Sequence, residues 1–277
     1  MKILILGGTG KIGKNIYKRF SLIKEYNLYT LSRSKNPLNI DKHYIFDFHK
    51  EDISNFNINL SFDIIINCLG SGVYKEETLL KNFFKKFMNL LNSNFESSWI
   101  EISSISAFGI NNINKKNRLI SNYGKSKLLS ENLLKDLSQK YNRKCTIFRF
   151  GAVIKKDEIN NFVFKKFNKF KIFRVFISFF KNEPYLRITL IEDIYELIYK
   201  TISEKNKKNK IITTYKNINI HEILRVKYKN LYIINFNYKI IYTCFFYINK
   251  IMFIKFSSVF NPNLNSNDKH IFQIIDF

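Results

Sequence analysis

The sequence predicts an α/β chain built on a doubly wound parallel sheet. Two observations carry this. Short, continuous apolar runs alternate with amphipathic segments of helical length through the first half of the chain, as expected when strands are buried on both faces. The first such run, KILIL (2–6), leads directly into the glycine-rich stretch GGTGKIG (7–13) and then into a helical segment. Right-handed crossovers between such strands give a Rossmann-type sheet.

The elements follow in order. KILIL is a buried strand, and Lys11 to Lys24 reads as a helix. NLYTLS (27–32), HYIFDF (43–48) and DIIINCLG (63–70) are the next three strands. Glu76 to Leu91 is helical, SSWIEISS (97–104) is the fifth strand, Ser121 to Tyr141 is a long helix and CTIFRF (145–150) is the sixth strand. Beyond this the rhythm is lost. Residues 155–181 are rich in Phe and Lys, Glu192 to Ser203 is helical, and KIITTY (210–215) is a short strand. The expected organisation is therefore a dinucleotide-binding core over residues 1–150 and a smaller substrate lobe over 151–277, packed on the core.

Composition narrows the function classes. At 277 residues and 45% apolar content the chain can bury a sizeable core. The formal charge of +24 suits anionic ligands. The basic residues are scattered and form no nucleic-acid-binding arm, so no nucleic acid is expected as a partner. The N-terminal apolar run, Ile3–Leu6, is too short for a signal peptide. Cys68, Cys145 and Cys244 form neither a disulfide framework nor a metal motif, and a reducing cytoplasm is the simple reading. His43, His49, His221 and His270 have no ligand spacing, and no metal is expected. The aromatic stretch 231–260 is broken by Lys239, Asn249, Lys250 and Lys255, which leaves too short an apolar run to span a bilayer. It reads as a buried helix of the lobe, or alternatively as a basic amphipathic segment on a membrane surface.

Gly7, Gly10 and Gly13 fall as G-x-x-G-x-x-G between a strand and a helix. In that setting the first permits a tight turn, the second lets a pyrophosphate approach the backbone, and the third lets the helix pack on the strand. The free N–H groups of the helix N-terminus then face the phosphates. Lys11 and Ile12 complete the turn and are counted with the cofactor contacts. The second strand ends in Ser32 and Arg33, with no acid to hold a ribose 2′-OH. A hydroxyl and a guanidinium there suit a 2′-phosphate, which favours NADP over NAD. Asp47, followed by Phe48, stands where a carboxylate can accept from the adenine amino group.

Tyr123 and Lys127 are four apart and share one helix face. An ammonium beside a phenol lowers the phenol pKa and makes it a usable proton donor and acceptor near neutrality. Ser103 and Ser104 end the fifth strand, at the sheet edge where ligands bind, and a hydroxyl there can donate to a substrate carbonyl oxygen.

With these pieces in place, the chain resembles the extended short-chain dehydrogenase/reductase superfamily, in its NAD-dependent epimerase/dehydratase group. GGTGKIG, DF (47–48), NCLG (67–70), ISSISAFG (102–109), YGKSK (123–127), FRFGAV (148–153) and IEDI (191–194) occur in the family's order over about residues 1–200. The resemblance implies Tyr123 as acid/base, Lys127 as its partner, and Ser104, five residues before Gly109, as the catalytic hydroxyl, with Ser103 and Ser106 also in range. It implies that Asn67, Leu69 and Gly70 line the cofactor. It further implies a nucleotide-linked sugar as the substrate of many relatives, with Arg187 as a diphosphate contact or a surface salt-bridge residue. Dimerisation through the helix bearing Tyr123 is common in the superfamily, and the apolar residues of 121–141 serve a core face or an interface equally.

The chain departs from the family at the substrate end. Ala152 stands where sugar-nucleotide relatives usually carry Asn, and Val153, Ile154 and Lys155 replace a frequent Tyr-Gly-Pro. Ser104 is followed by Ile105 and Ser106 where dehydratase relatives carry Asp-Glu. The expectation is thus an NAD(P)-dependent reductase or epimerase acting on a carbonyl/hydroxyl carbon. The alternatives are a non-catalytic NADP(H)-binding sensor or assembly protein of the same fold, and an enzyme at the membrane surface acting on a lipid-linked sugar.

Overall fold

The structure is a computed structural model, and it describes residues 1–33, 40–47, 61–69, 98–108, 110–111, 118–162, 185–204, 208–220, 222–223 and 270–276. The expected helix at 76–91, the stretch 231–260, and the site candidates Phe48 and Gly70 lie outside these residues.

Among the described residues, twelve strands are present: β1 (Lys2–Leu6), β2 (Asn27–Ser32), β3 (His43–Ile45), β4 (Ile64–Asn67), β5 (Ser98–Ser104), β6 (Ile110–Asn111), β7 (Arg118–Leu119), β8 (Lys144–Phe150), β9 (Ala152–Ile154), β10 (Tyr185–Leu190), β11 (Lys210–Asn219) and β12 (His270–Asp276). The helices α1 (Lys11–Phe20), α2 (Asn122–Lys140) and α3 (Ile191–Ser203) accompany them. The sheet runs β3-β2-β1-β4-β5-β8-β11-β10-β9, with β12 also paired to β11. From β3 through β11 every neighbouring pair is parallel. This is the predicted Rossmann-type sheet.

Strand alternation sends side chains to two apolar layers. Leu4, Leu6, Leu31, Ile65, Trp99 and Ile147 meet Leu133, Leu134 and Leu137 of α2 on one face. Ile3, Ile5, Ile66, Ile100 and Phe148 meet Ile16 and Phe20 of α1 and Ile194 and Ile198 of α3 on the other. The first helix ends at Phe20, four residues before the expected Lys24, where Ser21 caps it and a turn follows.

The sheet draws on the second half of the chain. The seventh parallel strand, β11, pairs with β8 over Lys210–Thr214, then continues to Asn219 beside antiparallel β10. The short strand expected at 210–215 is therefore a ten-residue strand in the central sheet. Among the described residues, no helix is long and apolar enough to cross a membrane.

Candidate active site

The glycine turn is fixed by contacts that only glycine tolerates. Gly7 has φ +75°, in the left-handed region that suits glycine. A Cβ at Gly13 would fall 2.4 Å from the Gly7 carbonyl oxygen and 2.9 Å from Gly8 Cα. The turn and the first turn of α1 thus lie in direct backbone contact. Gly10 caps α1 without a side-chain hydrogen bond, and the first helical turn holds no acid. The N-terminal N–H groups and the positive end of the helix dipole are left for an anion, which fits the diphosphate of a dinucleotide. Lys11 extends away from the turn and its ammonium pairs with Glu158 at 2.9 Å, both side chains half-exposed.

Ser32 and Arg33 stand at the carboxyl end of β2, Ser32 buried and Arg33 exposed. Asp47 lies half-buried just beyond β3.

A cleft of about 440 Å³ opens next to the turn, lined by Ile12, Leu69, Ser104, Tyr123, Lys127 and Arg187 among others. It gathers residues that are far apart in sequence, through three local devices. Ser121 caps α2 by accepting from the Gly124 N–H at 3.0 Å. Gly124 then lets the start of α2 press on the 3-10 turn Ile105–Phe108, since a Cβ there would fall 2.2 Å from the Ser106 carbonyl oxygen. Gly151 lets the exit of β8 pass β10, where a Cβ would fall 2.7 Å from the Arg187 carbonyl oxygen. Tyr123 at the start of α2 and Arg187 on β10 are thereby both brought to the cleft.

Tyr123 is 42% exposed, and the Ser104 side chain hydrogen-bonds it. Lys127 is buried, and its ammonium donates to the carbonyls of Ile102 at 2.8 Å and Leu69 at 3.2 Å. Spacing alone leads one to expect that this ammonium lowers the tyrosine pKa. The balance in this arrangement is the reverse: burial raises the Tyr123 pKa, the Ser104 hydrogen bond opposes that, and the carboxylate of Glu101 raises it further. The Lys127 pKa is itself lowered by burial, against the attraction of Glu101, Cys68 and Glu131.

The two acids Glu101 and Glu131 are absent from the sequence reading. Glu101 is fully buried in β5 and accepts from Asn67 Nδ2 at 2.7 Å, Ser130 Oγ at 2.9 Å and Trp99 Nε1 at 3.3 Å. Burial raises its pKa, and Lys127 and these donors resist the rise. Asn67, expected to line the cofactor, is turned inward: its amide serves Glu101, and its oxygen accepts from the Leu69 N–H at 3.1 Å. It shapes the strand end rather than the cleft wall. Glu131, also fully buried, takes a bidentate grip from Arg149, with Nε at 2.9 Å and Nη2 at 2.5 Å, and accepts from Ser103 Oγ at 2.5 Å. Ser103, Ser104 and Ser106 all border the cleft, but the Ser103 hydroxyl is engaged by the buried Glu131. A signal for Glu131 was present: it lies four residues after Lys127 and eight after Tyr123, on the same helix face.

Among the described residues, no group of three or more His, Cys, Asp or Glu is placed to hold a metal ion. Arg187 is half-buried, its guanidinium 5.7 Å from the centre of the Tyr215 ring.

Comparison with known proteins agrees with this architecture. The model of the NAD dependent epimerase/dehydratase family matches residues 3–199. No curated protein matches the sequence. Among solved structures, UDP-glucuronic acid 4-epimerase from Bacillus cereus in complex with NAD is similar at 16% identity and TM-score 0.60, over 86% of this chain and 87% of that one. A short-chain dehydrogenase/reductase superfamily protein from Agrobacterium tumefaciens with bound NAD is similar at 10% identity and TM-score 0.64, over 82% and 81%. UDP-glucose 4-epimerase from Thermotoga maritima with UDP-glucose follows at 15% identity and TM-score 0.56, over 82% and 81%. At such identities the likeness establishes the fold.

Proposed function

The chain belongs to the NAD dependent epimerase/dehydratase family, and we propose that it is an NAD(P)-dependent reductase or epimerase acting on a carbonyl/hydroxyl carbon of a nucleotide-activated sugar. The observation that carries this reading is the meeting of Ser104, Tyr123 and Lys127 in one cleft beside a glycine turn whose helix end is open to an anion.

The dinucleotide, when bound, supplies or accepts the hydride. The glycine turn and the N-terminus of α1 would hold its diphosphate, and Leu69 with Lys127 would border its reactive half. Ser104 donates a hydrogen bond to the substrate oxygen and polarises the carbon–oxygen bond. The Tyr123 hydroxyl gives its proton to that oxygen in reduction and takes it back in oxidation. Lys127 is anchored at the cleft by two backbone carbonyls, and its ammonium would assist the tyrosine. Arg187, which also lines the cleft, would hold the diphosphate of a nucleotide sugar.

Ser32 and Arg33 favour NADP over NAD. Two of the solved structures above carry NAD, which makes the choice a direct experiment. Mass spectrometry of the native protein, then of the nucleotide released on denaturation, separates the cases. Tightly held NAD(H) marks an epimerase that recycles its cofactor and overturns the reading of Ser32 and Arg33. Empty protein that binds NADPH reversibly marks a reductase. Failure to bind either nucleotide overturns the proposal.

A further inference from the structure

Glu101 is a buried acid that the chemistry above does not use, and it stands among the attachments of Lys127. In the parallel pairing of β4 with β5 it lies beside Asn67, in register. One carboxylate oxygen accepts from Asn67 Nδ2 at 2.7 Å and Trp99 Nε1 at 3.3 Å, and the other from Ser130 Oγ at 2.9 Å. A carboxylate has no hydrogen to give, so it fixes the sense of the Asn67 amide, with the NH2 toward Glu101 and the oxygen away. That oxygen accepts from the Leu69 N–H at 3.1 Å, and the Leu69 carbonyl accepts from the Lys127 ammonium at 3.2 Å. A chain of three hydrogen bonds thus runs from carboxylate to ammonium, and its donors and acceptors fit in one sense only.

Two further contacts arrive at the same place. Ser130 follows Lys127 by three residues on α2, so the two share a helix face, and the bond from Ser130 to Glu101 holds that face against β5. The Ile102 carbonyl, which takes the shorter Lys127 bond at 2.8 Å, belongs to the residue after Glu101. Glu101, Asn67 and Ser130 are all fully buried. Hydrogen bonds in such surroundings are strong, and breaking one is costly, so the network specifies one arrangement.

We propose that Glu101 is a positioning residue of the active site: through Asn67 and the Leu69 carbonyl, and through Ser130 on α2, it fixes where the Lys127 ammonium stands in the cleft. The inference rests on the reading of Tyr123 and Lys127 as the proton-transfer pair. Two substitutions separate geometry from charge. In Glu101→Gln the amide oxygen still accepts from Asn67 and Trp99, and its NH2 donates to Ser130 Oγ, so the chain is kept and the charge is lost. Glu101→Leu removes both.

The test compares wild type, Glu101→Gln and Glu101→Leu as full chains in two measurements. Amide hydrogen exchange of the free protein, read at Leu69 with Leu4 of β1 as reference, follows the anchor without any turnover. Transfer of deuterium from labelled NADPH to 4-keto nucleotide sugars follows the reaction. In Glu101→Leu, Leu69 should exchange about tenfold faster relative to Leu4, the weight of one hydrogen bond. Its kcat should fall about 10- to 100-fold, the weight of a misplacement of about 1 Å, with the KM for the sugar little changed. Glu101→Gln should restore most of both. Exchange at Leu69 that does not move relative to Leu4 in Glu101→Leu overturns the inference, and so does a Glu101→Gln variant that loses as much turnover as Glu101→Leu. A wild type that binds dinucleotide and transfers no deuterium overturns the functional reading alone; faster exchange at Leu69 then still supports the anchor, and unmoved exchange overturns it. Should Glu101→Leu not fold by circular dichroism, Asn67→Ala, which cuts the chain at its middle link, takes its place in both measurements.

Discussion

Ser103 and Ser104 are neighbours on β5 with different partners: Ser103 donates to the buried carboxylate of Glu131, while the Ser104 side chain hydrogen-bonds Tyr123. Strand alternation turns the two side chains apart, and Glu131 on α2 takes up the Ser103 hydroxyl. Ser104→Ala should lower cofactor-dependent turnover about 100-fold or more, the usual weight of one polarising or proton-transfer group, and leave the melting temperature unchanged. Ser103→Ala should do the reverse, destabilising the fold by about 1–2 kcal/mol with little effect on turnover. Steady-state rates and urea melts on both variants check this.

Glu131 and Arg149 form a buried, bidentate ion pair, with side chains 0% and 8% exposed. Removing one partner leaves the other charge uncompensated in the core. Glu131→Gln should therefore destabilise the protein by about 3–5 kcal/mol. The double variant Glu131→Leu with Arg149→Met should lose less than the single change, and equilibrium urea unfolding measures both.

Gly13 has no room for a methyl group. Gly13→Ala forces the glycine turn off α1, since the Gly7 carbonyl oxygen lies 2.4 Å from the added carbon. The expected outcome is loss of dinucleotide binding by titration, with destabilisation of about 1–3 kcal/mol.

Glu101 gives a pH signature. Its carboxyl pKa is raised in the folded state, chiefly by burial. Between the unfolded value and the folded one, the folded protein binds more protons than the unfolded chain. Its stability contribution is thus fullest below the ordinary glutamate range and declines as pH rises through the folded pKa. Glu101→Gln removes that decline. The stability of the variant relative to the wild type should therefore improve as pH is raised from about 4.5 toward neutrality, and thermal melts across that range read it out.

The legible parts of the fold and site were those written locally. Apolar KILIL followed by spaced glycines located the first strand and turn, and the four-residue step from Tyr123 to Lys127 placed both on one helix face. The choice between Ser103 and Ser104 was not local, because it is made by Glu131, on another element. Nor was the destination of the Lys127 ammonium, which two carbonyls from separate strand ends decide. Glu101 read as one acid in an apolar strand; its donors come from β4, from α2 and from Trp99 on its own strand. The strand β11 was harder to place in the central sheet, because about 60 residues, of which only Glu192 to Ser203 read as a regular element, separate it from β8, its parallel neighbour.

The most direct test of the account is hydride transfer itself. Wild type and Tyr123→Phe would each be incubated with NADPH deuterated at the transferring carbon and a panel of 4-keto nucleotide sugars, and the products weighed by mass spectrometry. The account predicts that deuterium enters a sugar carbon with the wild type, and that Tyr123→Phe still binds NADPH but transfers at least about 100-fold less. Equal transfer by the two proteins, or a wild type that binds dinucleotide and transfers to no carbonyl or hydroxyl sugar in either direction, would contradict it.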